Sequence, residues 1–107
     1  MIQEMVGALA PQIEAARLMV YKAACQKDEG MLGNTLEVAM AKYVAGEVAM
    51  KAAECAMRIL GAYGYSTEYP VARLFRDAPP YFMVEGSTNV CKMITATDQL
   101  GIRKANR

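Results

Sequence analysis

Residues 34–61, NTLEVAMAKYVAGEVAMKAAECAMRILG, decide the fold class of this chain. Apolar side chains recur there at the three- and four-residue spacing of one helix face, at Leu36, Ala39, Met40, Tyr43, Met50, Ala53, Met57 and Leu60. Asn34 with Glu37 three residues later forms a capping-box-like start, and Gly61 provides a stop. We therefore predict one long helix, weakened slightly at Gly46 unless another helix packs closely there.

The flanking sequence also carries helical patterns and no strand pattern. Residues 2–27 place apolar side chains at helical spacing, but Pro11 lacks an amide donor, so we expect a kink or a new start there. A short helix is predicted over about 70–78, and a last helix over about 87–100. The expected fold is all-α. It is a single domain, residues 1–107, built as an antiparallel helical bundle of three long helices plus one short helix.

Composition narrows the possible function classes. The net charge is +1, which gives no field to attract nucleic acid, and no stretch is apolar enough to insert into a membrane. Three widely spaced cysteines and the absence of His argue against a metal site or a disulfide framework, and they favour the cytoplasm. The apolar share of 54% is high for a small domain, so we expect part of it in an interface. The basic tail, residues 102–107, is expected to fray.

The stretch Met83-Val84-Glu85-Gly86-Ser87-Thr88 is the strongest candidate site. It places a carboxylate at a loop-to-helix junction beside apolar neighbours. We expect those neighbours to desolvate Glu85, which disfavours the charged form of a carboxyl group and suits a general base. The alternative is that Glu85 only complements the dipole of the following helix.

Four short motifs in a fixed order carry a family resemblance. They are Arg58-Ile59-Leu60-Gly61-Ala62-Tyr63-Gly64-Tyr65, Glu68-Tyr69-Pro70, Arg76-Asp77-Ala78 and Glu85-Gly86-Ser87. Together they resemble the carboxy-terminal helical domain of acyl-CoA dehydrogenases, whose members show Q-x-x-G-G-x-G-Y, E-Y-P, R-D-A and Y-E-G-T. The resemblance covers essentially the whole chain and corresponds to about the last two-thirds of that domain. The family's R-x-x-F-G cofactor-binding segment and its two preceding domains have no counterpart in this sequence.

The resemblance implies an activity. Family members use FAD to introduce an α,β double bond into an acyl-CoA thioester. In most of them the glutamate of Y-E-G-T, which matches Glu85, removes the α-proton; other members place this base on an earlier helix. The backbone N–H of the same residue binds the thioester oxygen. Val84 replaces a tyrosine that lines the acyl pocket, and Gly86 allows a tight turn, so Val84, Glu85 and Gly86 are the expected substrate-binding residues.

The resemblance also implies cofactor contacts on both sides of that turn. Ser87 and Asn89 match residues that contact FAD, although Ser87 has an alternative role as a helix cap. Gly61 and Ala62 match a glycine pair that lies against the ADP part of FAD, held mainly by a neighbouring subunit. Arg58 replaces the family's glutamine, and it either reaches a phosphate or only pairs with a nearby glutamate.

The implied partners are an acyl-CoA substrate, an electron-transfer flavoprotein-like acceptor and further copies of the chain, as a dimer or tetramer. An alternative function also remains. The missing domains and the changes at Arg58 and Ala62 are compatible with a non-catalytic helical oligomerisation or interaction module derived from the family.

Overall fold

The computed structural model describes residues 1–106, and every regular element in that range is a helix. The six helices are α1 (Ile2–Asp28), α2 (Thr35–Leu60), α3 (Ala62–Tyr65), α4 (Val71–Asp77), α5 (Pro80–Met83) and α6 (Thr88–Gln99). The all-α prediction and its three long helices are therefore confirmed. The predicted short helix is α4, and the structure adds two single-turn helices, α3 and α5, that the sequence did not predict.

Helix α1 runs without a break through Pro11, so of the two expected outcomes, a kink or a new start, the new start is excluded. A proline removes one backbone hydrogen bond, whereas packing of a long helix against a neighbour retains the others. Directly after Pro11, the Gln12 side-chain oxygen accepts a hydrogen bond of 2.9 Å from Lys51 on α2. Gly30 follows the end of α1 with φ +84°, and the Met31 amide donates back to the Gln26 carbonyl, as at many helix ends that stop at a glycine.

Helices α1 and α2 are antiparallel neighbours, as predicted. Lys51 pairs with Gln12, and Asn34 at the other end donates from Nδ2 to the Ala23 carbonyl at 2.9 Å. Asn34 is only 1% exposed and its side chain makes no capping bond, so the expected capping box is wrong. The side-chain amide of Asn34 instead links the start of α2 to α1 through its hydrogen bond to the Ala23 carbonyl.

The start of α2 is capped from the far end of the chain. The Leu36 amide donates to Asn106 Oδ1 at 2.8 Å, and Asn106 Nδ2 donates to the Glu37 carboxylate at 2.8 Å. The hydrogen bond from Asn106 lowers the pKa of Glu37, and Lys22 acts in the same direction. The expected fraying of the tail is therefore wrong for residues 102–106, while Arg107 lies outside the described residues.

Helix α2 is the centre of the fold. Helix α1 packs against one side of it, while α6, α5 and α4 pack elsewhere along it. Lys92 of α6 pairs with Glu47 of α2 at 2.7 Å, which sets α6 antiparallel to α2 when taken with the Asn106 cap. The buried apolar residues are mostly small: Ala16, Ala23, Ala39, Ala41, Ala53, Val71, Ala72, Ala78 and Cys91. Small side chains let the helices approach closely, and many large apolar side chains remain on the surface.

Candidate functional site

The turn between α5 and α6 holds Glu85 in an uncommon backbone conformation. Glu85 has φ +54°, the one positive φ of a non-glycine residue among residues 1–106, and Gly86 follows with φ +100°. A left-handed conformation costs a non-glycine residue on the order of 1–3 kcal/mol, and it persists only where the surroundings impose it. Strain of this kind is concentrated at functional sites, which makes Glu85 a stronger candidate than its sequence alone did.

The same turn leaves backbone donors available. The amides of Glu85, Gly86 and Ser87 meet no acceptor within the described part of the chain. Helix α6 begins at Thr88, and its first hydrogen bond to a preceding carbonyl runs from Cys91 to Ser87. The first amides of the helix are therefore also unpaired, as at any helix start. This end of α6 presents a concentration of N–H groups to whatever lies against the turn.

The expectation that apolar neighbours bury Glu85 is wrong for this chain. Glu85 is exposed, and Met83 and Val84 beside it are 60% and 52% exposed. Because only 107 residues surround it, desolvation of Glu85 requires a surface from outside this chain. Burial of the apolar Met83 and Val84 side chains likewise requires a surface from outside this chain.

Contacts with α5 and α6 hold the Glu85 turn in place. The Thr88 hydroxyl lies 3.4 Å from the Phe82 carbonyl, and the thiol of buried Cys91 lies 3.5 Å from the Gly86 carbonyl. The Val84 amide donates to the Pro80 carbonyl at 3.0 Å, which closes the turn of α5. Sequence reasoning did not assign Cys91 to the site, because only folding of α6 brings its thiol against the Gly86 carbonyl.

Helix α5 is held in turn by α2. Lys42 Nζ donates to the Tyr81 carbonyl, and a Cβ atom on Gly46 would lie 2.7 Å from that same oxygen. Gly46 therefore permits the close helix approach that was the stated alternative to a weak point in α2. Lys42 was not identified from the sequence as part of the site.

Ser87 and Asn89 lie where the sequence placed them. Ser87 is the N-cap residue of α6, but its hydroxyl makes no capping hydrogen bond. Asn89 is the second residue of the helix and is exposed. The alternative in which Ser87 satisfies the helix start is therefore not the observed arrangement, and both side chains are available to a ligand.

The glycine turn forms a second group of predicted residues. Gly61 ends α2 with φ +55°, and Ala62, which is exposed, begins α3. Arg58 in the last turn of α2 bonds to Glu54 through Nε at 3.0 Å and through a terminal nitrogen at 2.6 Å. Both side chains are at least half exposed, and such pairs are worth at most about 1 kcal/mol. The pairing alternative for Arg58 is observed, and it is weak enough to yield to a stronger anion.

The two groups lie apart on the molecule. Lys92, near the start of α6, reaches Glu47, and Glu47 precedes Gly61 by about 21 Å of helix α2. One compact ligand cannot touch both groups on a single copy of the chain. The arrangement fits a long ligand, or two different ligands.

Comparison with known proteins identifies the family. Residues 1–100 match the acyl-CoA dehydrogenase C-terminal domain. The chain belongs to the acyl-CoA dehydrogenase family. The resemblance drawn from the four motifs is thus confirmed. The fold agrees as well, since the chain superposes on a structure of a glutaryl-coenzyme A dehydrogenase complex with glutaryl-CoA. That match has a TM-score of 0.96 and 69% identity, over 100% of this chain and 27% of the other.

Two further comparisons place the chain within the family. It is 69% identical to the glutaryl-CoA dehydrogenase of Desulfococcus multivorans over 107 residues, which are 100% of this chain and 28% of that protein. It also matches a chain in a structure of the electron transferring flavoprotein of Acidaminococcus fermentans. The TM-score there is 0.87 at 40% identity, over 92% of this chain and 26% of the other. The chain thus spans about a quarter of the length of these family members.

The donor set of the turn fits a flavin cofactor of the kind that the family resemblance implies. Ser87 and Asn89 present polar side chains that no intramolecular bond occupies, beside the unpaired amides of a helix start. Such a group suits the polar and anionic parts of a nucleotide cofactor. Residues 1–106 offer no comparable site for a metal ion, because they contain no cluster of three His, Cys, Asp or Glu side chains arranged to hold one. Over the same residues, no helix is long and apolar enough to cross a membrane.

Proposed function

We propose that this chain is part of an FAD-dependent acyl-CoA dehydrogenase in which Glu85 removes the α-proton of an acyl-CoA thioester. The observation that carries the proposal is the backbone of Glu85, held at φ +54° with an unpaired amide between two docked helices. Glu85 offers a carboxylate that can accept a proton and an amide that can donate to a developing enolate oxygen. Family membership supplies the reaction class.

Each proposed role follows from an atom of this chain. The Glu85 carboxylate accepts the α-proton, and the electron pair of that Cα–H bond forms the α,β double bond as a hydride leaves the β-carbon. FAD, when bound, supplies the redox chemistry that accepts this hydride. The Glu85 amide donates to the thioester oxygen, where negative charge develops as the proton leaves.

The proposed cofactor contacts divide between the two groups of the site. Ser87 and Asn89, with the amides at the start of α6, bind the part of FAD nearest to Glu85. Gly61 and Ala62 let the backbone approach a second part of the cofactor closely, and Arg58 exchanges Glu54 for a phosphate there. Because the groups are separated along α2, we propose that they serve FAD molecules of two different active sites in an oligomer.

The proposed substrate is an acyl-CoA, and glutaryl-CoA is the first to test. The relative from Desulfococcus multivorans, at 69% identity, is named for that substrate. Val84 and Gly86 lie on either side of Glu85 and are the proposed substrate contacts of this chain. Val84 is extended and exposed, so its small side chain leaves room for the acyl group.

The proposed partners follow from the surface and from the comparisons. Exposed apolar residues on α1 and α6 favour a homo-oligomer, dimer or tetramer. An electron-transfer flavoprotein-like acceptor is supported by the structural match from Acidaminococcus fermentans. The three free cysteines fit a reducing compartment, and we propose the cytoplasm.

The test is a chimera in which this chain replaces the matching part of the Desulfococcus multivorans enzyme. Purified chimera is mixed with glutaryl-CoA or butyryl-CoA, and single-turnover flavin reduction is followed by absorbance. We expect reduction by the unmodified chimera and a loss of at least about 100-fold in Glu85→Gln, with Glu4→Gln on α1 as a matched control. Equal rates in the two variants would contradict the role of Glu85. An oligomer that takes up no flavin would support the non-catalytic module instead.

A further inference from the structure

Helix α5, which leads into the Glu85 turn, meets α2 at a backbone carbonyl. The Tyr81 carbonyl of α5 accepts a hydrogen bond from Lys42 Nζ, and it lies over Gly46 of α2. Lys42 and Gly46 are one helical turn apart, so they occupy the same face of α2. The two residues therefore act on the same atom from the same helix.

Gly46 is the position where a side chain is excluded. A Cβ atom there would lie 2.7 Å from the Tyr81 oxygen, 3.0 Å from its carbonyl carbon and 3.2 Å from the Phe82 Cα. All three are backbone atoms, so no side chain can rotate away. An alanine at this position has to push α5 outward.

Movement of α5 passes directly to Glu85. The helix is one turn long, its closing hydrogen bond runs from Val84 to Pro80, and Glu85 is the residue after Val84. Thr88 and Cys91 hold the other side of the turn to α6. The left-handed backbone of Glu85 is thus fixed between an anchor on α2 and an anchor on α6.

We propose that Lys42 and Gly46 are positioning residues that set the place of Glu85 against the α-carbon of the substrate. This inference rests on the proposed function of Glu85. Lys42 contributes the hydrogen bond that holds the Tyr81 carbonyl, and Gly46 contributes the close approach that makes the bond possible. Neither residue belongs to the turn itself.

The experiment uses the full-length chimera and single-turnover flavin reduction by glutaryl-CoA. We expect Gly46→Ala and Lys42→Met each to slow reduction by about 10- to 100-fold, the scale of a displacement near 1 Å. The substrate concentration for half-maximal rate and the flavin bound per subunit should hold near their unmodified values. Lys42→Arg, which can still donate to Tyr81, should restore most of the rate.

Matched controls separate this role from general stability. Gly7→Ala adds the same methyl group to α1, where nothing lies within 4 Å, and Lys51→Met removes a lysine elsewhere on α2. Both should reduce flavin at the unmodified rate. If Gly46→Ala does not accumulate as folded protein, the comparison of Lys42→Met with Lys42→Arg tests the inference by itself.

Two outcomes overturn the inference, and they differ from failure of the proposed function. Unmodified rates in Lys42→Met and Gly46→Ala, together with an inactive Glu85→Gln, would remove the positioning role and leave the base in place. Lower flavin content or thermal stability with no rescue by Lys42→Arg would show a structural role only. An active Glu85→Gln would reject the proposed function and this inference with it.

Discussion

At the scale of the residue, the position of the Glu85 carboxylate costs the chain stability through backbone strain. The left-handed region is open to glycine and, less readily, to asparagine, whereas glutamate pays for it in backbone strain. The sequence pointed to Glu85 through the motif around it, but φ cannot be read from a motif. The expected burial of Glu85 is wrong for a related reason, since residues that are apolar neighbours in sequence need not cover a side chain in space.

The strain predicts a gain in stability when the carboxylate is removed. In the chain, Glu85→Asn should raise the free energy of unfolding by up to about 1 kcal/mol, because asparagine tolerates a positive φ. The same substitution should abolish substrate-dependent flavin reduction in the chimera. Urea unfolding followed by circular dichroism gives the first quantity.

Glu68→Asn is the matched control, because Glu68 is also an exposed loop glutamate and its φ is not positive. It should leave stability unchanged or lower it. A loss of stability in Glu85→Asn equal to that in the control would show that the turn is not strained.

At the scale of the element, α2 shows the reach and the limit of local patterns. Its apolar spacing and Gly61 predicted its existence and its end, and the flag at Gly46 anticipated a close helix contact. Its start at Asn34 is also as predicted, but the capping hydrogen bonds are not, because a capping-box pattern in Asn34 and Glu37 cannot reveal that Asn106 is folded against the helix start. Helices α3 and α5 were missed since single turns are too short to carry a periodic signal.

The cap at the start of α2 predicts a pH-dependent effect. Asn106→Ala leaves the Leu36 amide unpaired and removes the hydrogen bond to Glu37, so we expect a loss of roughly 1–2 kcal/mol in the free energy of unfolding at neutral pH. The pKa of Glu37 is lowered in the folded state, so its contribution is present above the ordinary glutamate range and is lost as the pH falls through the folded pKa. The difference between Asn106→Ala and the unmodified chain should therefore shrink in acid.

Asn106→Asp is the informative companion variant. It retains an acceptor for Leu36 but sets a second carboxylate against Glu37, so stability should rise relative to the unmodified chain as the pH falls. Urea unfolding across an acidic pH series measures both variants. A pH-independent penalty in Asn106→Ala would show that Glu37 does not take part.

At the scale of the whole molecule, the chain buries small residues and exposes large ones. Alanine predominates in the core, whereas Leu18, Tyr21 and Met93 are among the large side chains left at the surface. An open surface groove of about 360 Å³ between α1 and α2 is lined almost wholly by apolar side chains. The high apolar share of the sequence predicted an interface, but which apolar faces stay exposed followed only from the packing around α2.

This surface predicts association of the isolated chain. Light scattering should show oligomers whose size grows with concentration, and Leu18→Lys together with Tyr21→Lys should weaken the association by placing charges on the α1 face. Met31→Lys together with Leu32→Lys adds the same two charges in the loop before α2 and serves as the control. A monomer at all concentrations would contradict the proposed homo-oligomer.

The proposed activity depends on one proton transfer, and one measurement tests that step without the redox step. The chimera and its Glu85→Gln variant are incubated in heavy water with a 3-thia-acyl-CoA, whose β-position is a sulfur atom with no hydride to transfer, and deuterium at the α-carbon is followed by mass spectrometry. We predict rapid exchange by the unmodified chimera and none above the uncatalysed background in Glu85→Gln, with flavin bound in both. Exchange at the same rate in both would show that another group removes the proton.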